Sequence, residues 1–230
     1  MTAHLTEEEQ LEALKRWWNE NGKSTIAAIV LAVGGYFGWQ GWQNQQQEQA
    51  EAASAMYQDL LEAAVVEPGQ SLSESDKTTA THLAGSLKND HASSLYASQA
   101  ALLMAKLAVE EARLEDAAAE LEWVLAQKPG AEVELMTNLR LARVAIAQQD
   151  YTKAQSLLTK PQAELGSFAA AYAEVRGDAY LAQGEADLAR SEYQQSLSAL
   201  AAGSSRRQIL EMKINDIQAA PEVVAVQGEE

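Results

Sequence analysis

Three stretches in the second half of the chain carry apolar residues three and four positions apart, each interrupted near its middle by a polar turn. The first reads SQAALLMAKLAVEEARLEDAAAELEWVLAQKP and breaks between Glu111 and Leu114. The second, LMTNLRLARVAIAQQDYTKAQSLLTKP, turns at Gln149-Asp150, and the third, AAYAEVRGDAYLAQGEADLARSEYQQSLSAL, turns at Gln183-Gly184. Each predicts a pair of amphipathic helices, and Pro129 and Pro161 end the first two pairs. A small residue in each first helix faces one in the second: Ala105 with Ala117, Ala142 with Ala154, Gly177 with Ala189. Large residues such as Leu121, Leu158, Tyr180 and Tyr193 then fill the space beside these contacts.

Ala117, Ala154 and Ala189 lie 37 and 35 positions apart by their numbers, close to the ~34-residue period of tetratricopeptide repeats. A single pair buries too little alone and must stack on its neighbours, so residues 95–218 are expected to form an α-solenoid with a concave face. A last amphipathic helix near 205–217, with Ile209, Leu210, Met212, Ile214 and Ile217, covers the final repeat. Residues 44–94 are read as linker helices packing on the repeats: one over 44–67 stopped by Pro68-Gly69, a loop over 71–76, and one over 77–87. Residues 219–230 have no partner spacing and are expected to be a disordered tail.

Toward the other end, residues 24–42 read STIAAIVLAVGGYFGWQGW, without one charge. As a helix this covers ~28 Å, near a bilayer's hydrocarbon thickness. Trp17 and Trp18 precede it and Trp39 and Trp42 close it, as indoles do at headgroup level. The expectation is therefore an all-α chain with a transmembrane helix at 24–43 before the solenoid. A buried core helix lacks a neighbouring partner in sequence. A cleaved signal peptide would need a small-residue site where Tyr36, Phe37, Trp39 and Trp42 stand. Lys15, Arg16 and Lys23 precede the segment and no Lys or Arg follows until Lys77. The positive-inside rule then leaves 1–23 in the cytoplasm and puts the repeats outside, in the periplasm if the membrane is a bacterial inner membrane. Gly34 and Gly38 form a small-xxx-small face for helix packing in the membrane.

Composition narrows the function. Ala, Leu, Glu and Gln dominate, Pro is reduced to four, and the net charge of −16 leaves no basic surface for nucleic acid. Cysteine is absent, which excludes disulfide and thiolate chemistry. His4, His82 and His91 lack ligand spacing, so no metal or cofactor is expected. The acidic run Glu110, Glu111, Glu115 and Asp116 lacks a calcium loop and reads as a solvated helix face. No serine has a nucleophile-elbow context and no glycine run cradles phosphate. Binding, not catalysis, is what remains.

In repeats of this type the first helices face the groove. That phase selects Leu102, Lys106 and Val109 in the first repeat, Met136, Leu139, Arg143 and Ile146 in the second, and Glu174, Asp178 and Leu181 in the third. The apolar members either grip a hydrophobic strand or helix of a partner or are covered by the helices of 44–87.

Five ordered strings carry a more specific resemblance: LEALKRWWNENGK at 11–23, GGYFGWQ at 34–40, TNLRLARV at 137–144, RGDAYL at 176–181 and EMKIND at 211–216. In these the chain resembles the YfgM family of ancillary SecYEG translocon subunits. That resemblance implies a single-pass inner-membrane protein with a periplasmic tetratricopeptide-like domain. It implies partners as well: the SecYEG translocon, a membrane-anchored periplasmic chaperone of the peptidyl-prolyl isomerase type, translocating polypeptides and inner-membrane lipid. The role implied is a non-enzymatic, membrane-anchored adaptor that links protein export to periplasmic chaperones. The alternative is a membrane-anchored regulatory protein binding a signalling component through the same repeats.

Overall fold

The computed structural model describes residues 7–65 and 72–219. Among them the fold is all helical: α1 (Glu7–Ala63), α2 (Glu74–Asp90), α3 (Leu95–Glu110), α4 (Leu114–Ala126), α5 (Ala131–Ala147), α6 (Tyr151–Leu157), α7 (Gln162–Leu165), a 3₁₀ turn (Gly166–Phe168), α8 (Ala169–Ala182), α9 (Ala186–Ala199) and α10 (Arg206–Ala219). The chain divides into two compact units, Met1–Ala55 and Met56–Glu230. The Pro68-Gly69 stop and the tail at 220–230 lie outside the described residues. The second long helix starts earlier than its apolar spacing suggests, because Ser73 caps it: its hydroxyl accepts from the Asp76 amide at 3.1 Å.

The first unit is the forward part of α1. The expected membrane span does not hold: among the described residues no helix is long and apolar enough to cross a membrane. At 57 residues α1 has the length, so what it lacks is continuous apolarity. Its uninterrupted aliphatic run, residues 26–33, covers only ~12 Å as helix, against the ~30 Å of a hydrocarbon core. Beyond it, Gly34, Gly35, Gly38, Gln40 and Gly41 dilute the aromatic residues with little or no apolar surface. The single-pass topology and the inner-membrane anchoring depended on that span and fall with it, and with them the cytoplasmic N-terminus and periplasmic C-terminal domain as two sides of one crossing. So does the membrane-anchored form of the adaptor function. Added Cβ atoms at Gly34 and Gly38 would meet nothing within 4 Å.

In the second unit the helices stack as a solenoid in chain order: α2 on α3, α3 on α4, α4 on α5, α5 on α6 and α8, α8 on α9, α9 on α10. The repeats are α3/α4, α5/α6 and α8/α9. Their inner contacts are small side chains. Ala117, Ala142, Ala154 and Ala189 are fully buried and Ala105 nearly so. At the tightest contact a Cβ on Gly177 would come within 2.5 Å of the Tyr193 ring and 3.2 Å of the Ala189 carbonyl oxygen. The second repeat is the irregular one. Its α6 has only seven residues, and α7 with the 3₁₀ turn fills the gap before α8.

One turn closes all three repeats. Ala112, Gln149 and Gly184 take positive φ (57°, 63° and 83°). The residue after each returns a hydrogen bond to the helix just ended: Arg113 to the Ala108 carbonyl, Asp150 to Ala145 and Glu185 to Tyr180, at 2.8–2.9 Å. These are the wrapped helix ends that a left-handed residue produces. The third uses glycine, which adopts this conformation without Cβ crowding.

α10 seals the last repeat through charge as well as apolar packing. Leu210, Ile214 and Ile217 join Tyr193 and Ala189 in one buried cluster. Glu174 on α8 is 2% exposed and is held by two cations from α10. Arg206 donates to both of its oxygens, at 2.8 and 2.6 Å, and Lys213 donates at 2.8 Å. Lys213 also reaches Asp178 at 2.6 Å and lies 5.2 Å from the Tyr193 ring centre. Burial alone would raise the Glu174 carboxyl, yet Arg206 and Lys213 hold it below its ordinary value of 4.5. Burial, and then its hydrogen bond to Asp178, pushes the Tyr193 hydroxyl up.

Replacing Ala117 or Ala154 with leucine should cost about 1–3 kcal/mol by overpacking, measured by thermal unfolding of the full chain. Unchanged stability in both would mean the helix pairs do not meet at these residues. Replacing Arg206 and Lys213 together by alanine leaves a buried carboxylate uncompensated and should cost about 3 kcal/mol near neutral pH. Because the folded Glu174 carboxyl is lowered, its stabilisation is complete above pH ~4.5 and is lost as pH falls through the lower folded value. The wild type should therefore lose more stability than the double variant between pH 6 and pH 3, about. Parallel melting curves across that range would contradict the assignment.

Candidate partner-binding groove

A largely apolar opening of about 530 Å³ lies between the first helices of repeats one and two. α3 contributes Leu102, Leu103, Ala105, Lys106, Val109 and Glu110 to its lining. α5 contributes Arg140, Arg143, Val144 and Ala147, and Leu114 and Leu121 of α4 reach it from behind. The end of α1 supplies Tyr57, whose ring lies 5.7 Å from that of Tyr96 on α3. Residues on α3 separated by three and four positions fall on one helix face, which is why 102, 106 and 109 arrive together. The floor is apolar and the rim is charged.

The phase-selected residues divide by repeat. Leu102, Lys106, Val109 and Arg143 line this opening. Leu102 is 5% exposed and Val109 45%, so the wall runs from buried to open along α3. Leu139 is buried in the cluster with Leu135, Leu158, Leu165 and Tyr172, and Ile146 packs on the same cluster. Met136 packs on the neighbouring cluster around Leu121 and Leu141. Glu174 and Asp178 are the acids held by α10, and Leu181 is exposed. The repeat phase alone does not select Arg140 or Tyr57. The clue for Arg140 is its place three positions before Arg143 on one helix; for Tyr57 no repeat spacing offers one.

Polar bonds tie the helices of the stack to one another. Tyr172, fully buried, donates to the Leu135 carbonyl at 2.9 Å and so ties α8 to α5. Burial, with the nearby Glu134 charge, pushes this hydroxyl up to about 12, so it remains a donor across the working pH range. Lys88 of α2 bonds Glu120 of α4 at 2.6 Å, and Lys153 of α6 bonds Glu122 of α4 at 2.6 Å. Among the described residues no group of three or more His, Asp or Glu side chains could hold a metal.

Comparison with known proteins fits this architecture. The family model described as "Tetratricopeptide repeat-like domain" matches residues 15–219. No solved structure matches the chain. Among curated relatives, a protein of Neisseria gonorrhoeae is 29% identical over 95% of this chain and 100% of its own length. One of Escherichia coli is 30% identical over 94% of this chain and 99% of its own, and one of Haemophilus influenzae is 32% identical over 94% and 100%. Each is named "Ancillary SecYEG translocon subunit". The relatives are thus named as accessory subunits. End-to-end similarity at this level, joined to the repeat match, makes the chain a member of the tetratricopeptide repeat-like family of ancillary SecYEG translocon subunits.

Proposed function

We propose that this protein is a non-enzymatic adaptor of the Sec translocon, which uses its tetratricopeptide-like domain to hold polypeptide partners beside the export channel. The observation that carries the reading is the similarity, over nearly the whole of both chains, to relatives named as ancillary SecYEG translocon subunits. The apolar groove between α3 and α5 supports it, because a concave surface with an apolar floor and a charged rim suits an extended or helical peptide. Among the partners, a chaperone of the peptidyl-prolyl isomerase type and translocating polypeptides are the ones this role requires. The docking residues are Leu102, Lys106, Val109 and Arg143, with Met136, Leu139 and Ile146 supporting the wall from within. Contacts of this kind, part apolar and part exposed charge, release as readily as they form. That suits a protein that passes its cargo on.

Purification of the tagged full chain from its host in mild detergent should recover translocon subunits in stoichiometric amount. Photo-crosslinkers at positions 106, 109 and 143 should capture the chaperone or a polypeptide in transit, whereas positions 122 and 155 on α4 and α6 should not. Recovery of a signalling component without translocon subunits would replace this reading with a regulatory one. Equal crosslinking at 122 and 155 would move docking away from the groove.

A further inference from the structure

The charge inventory of the second unit points to the kind of segment the groove accepts. The chain has 33 acidic residues against 17 basic ones, so a cation readily finds an acid. Of the fourteen Lys and Arg residues beyond residue 56, ten stand in ion pairs: Lys77, Lys88, Lys106, Arg113, Lys153, Lys160, Arg176, Arg190, Arg206 and Lys213. Four do not. Arg207 donates to the Leu197 carbonyl at 3.2 Å, and Lys128 lies in the turn after α4; neither lines the groove. The other two are Arg140 and Arg143. Both are exposed, both line the groove, and neither makes a hydrogen bond or ion pair with any described residue.

Their placement adds direction to their charge. Three positions apart on α5, they point the same way, with Cβ atoms about 5–6 Å apart. The other charges on the lining are Lys106 and Glu110, which face each other at 3.6 Å. The pair therefore adds two uncompensated positive charges to an apolar site in a chain whose net charge is −16. A guanidinium offers a planar fork of donors matched to a carboxylate.

We infer that the groove selects apolar polypeptide segments that carry two acidic side chains, one for Arg140 and one for Arg143, with the apolar groups seated on Leu102, Leu103, Val109 and Val144. Selectivity of this kind comes from charge complementarity more than from area. It weakens with salt, because both arginines stand in water. The inference rests on the groove being the docking site proposed above and goes further by naming its ligand class.

The test uses the full chain and three short labelled apolar peptides that differ at two positions: Glu and Glu, Gln and Gln, or Lys and Lys. Fluorescence anisotropy should give tightest binding for the Glu peptide, by about ten-fold over Gln, as charge-assisted bonds allow, and weakest for Lys. The Arg140→Gln/Arg143→Gln variant should bind the Glu peptide about ten-fold less tightly and should no longer distinguish the Glu from the Gln peptide. Its melting temperature should not move, since neither side chain has a partner to lose. Equal binding of Glu and Gln peptides, or no loss in the variant, overturns the inference and leaves the docking site standing. Failure of all three peptides, together with absent crosslinks at 106 and 143, removes the docking site itself. Tighter binding of the Glu peptide after removal of residues 220–230 would make the chain's own acidic, valine-rich tail the occupant. Concentration-dependent self-association abolished by the same variant would make it a second copy. Either result overturns assignment to a partner.

Discussion

Two helices can approach within hard contact only where their facing side chains are nearly absent, and the repeats of this protein are built around that limit. At Gly177 even one methyl group would collide with the Tyr193 ring. In the other two repeats Ala105, Ala117, Ala142 and Ala154 stand at the corresponding positions and are buried. Close pairing puts the bulky residues to either side, where Leu121, Leu158 and Tyr193 become the buried faces on which the next pair stacks. The order of the stack, the spacing of the first helices and the opening between α3 and α5 all follow from those small residues. A larger side chain at any one of them would shift the register of every wall built on it.

Charge is distributed to match. Where the stack closes at α10, a nearly sealed carboxylate is compensated by two cations, so the end of the array is fixed in one arrangement. Where the array opens, the cations of α5 face solvent. The same residue types thus serve closure at one end and reception at the other, and what differs is only whether an acid of the same chain stands opposite.

Much of this was legible in the sequence because it rests on local periodicity. The small-residue positions, the turns at Gln149-Asp150 and Gln183-Gly184, and a terminal helix carrying Ile209 to Ile217 all follow from spacing three and four apart. Contacts between distant segments carry no such signal. Arg206 and Lys213 are seven positions apart, two helical turns, which puts them on one face, but nothing in the sequence identifies Glu174 and Asp178 as their counterparts. Tyr57 enters the groove wall from outside the repeats altogether. The expected membrane span failed for a different reason. A run without charges is not the same as a run of aliphatic surface, and after Val33 the residues at 34–41 include four glycines and a glutamine. The groove's arginines were half visible: Arg143 fell in the repeat phase and Arg140 did not, since their shared property is a missing partner, which only three dimensions display.

In the second unit each helix pair leans on the pair before and after it and on little else. Stress applied at residue 219 therefore has a defined route. It must first strip Arg206 and Lys213 from α8, then part α8 from α5 where Tyr172 holds the Leu135 carbonyl, before it reaches the groove at all. Traction entering at Tyr57 meets the groove wall at once. The array is thus mechanically polar: a tug from one side peels it like a seam, while a tug from the other opens its binding mouth first.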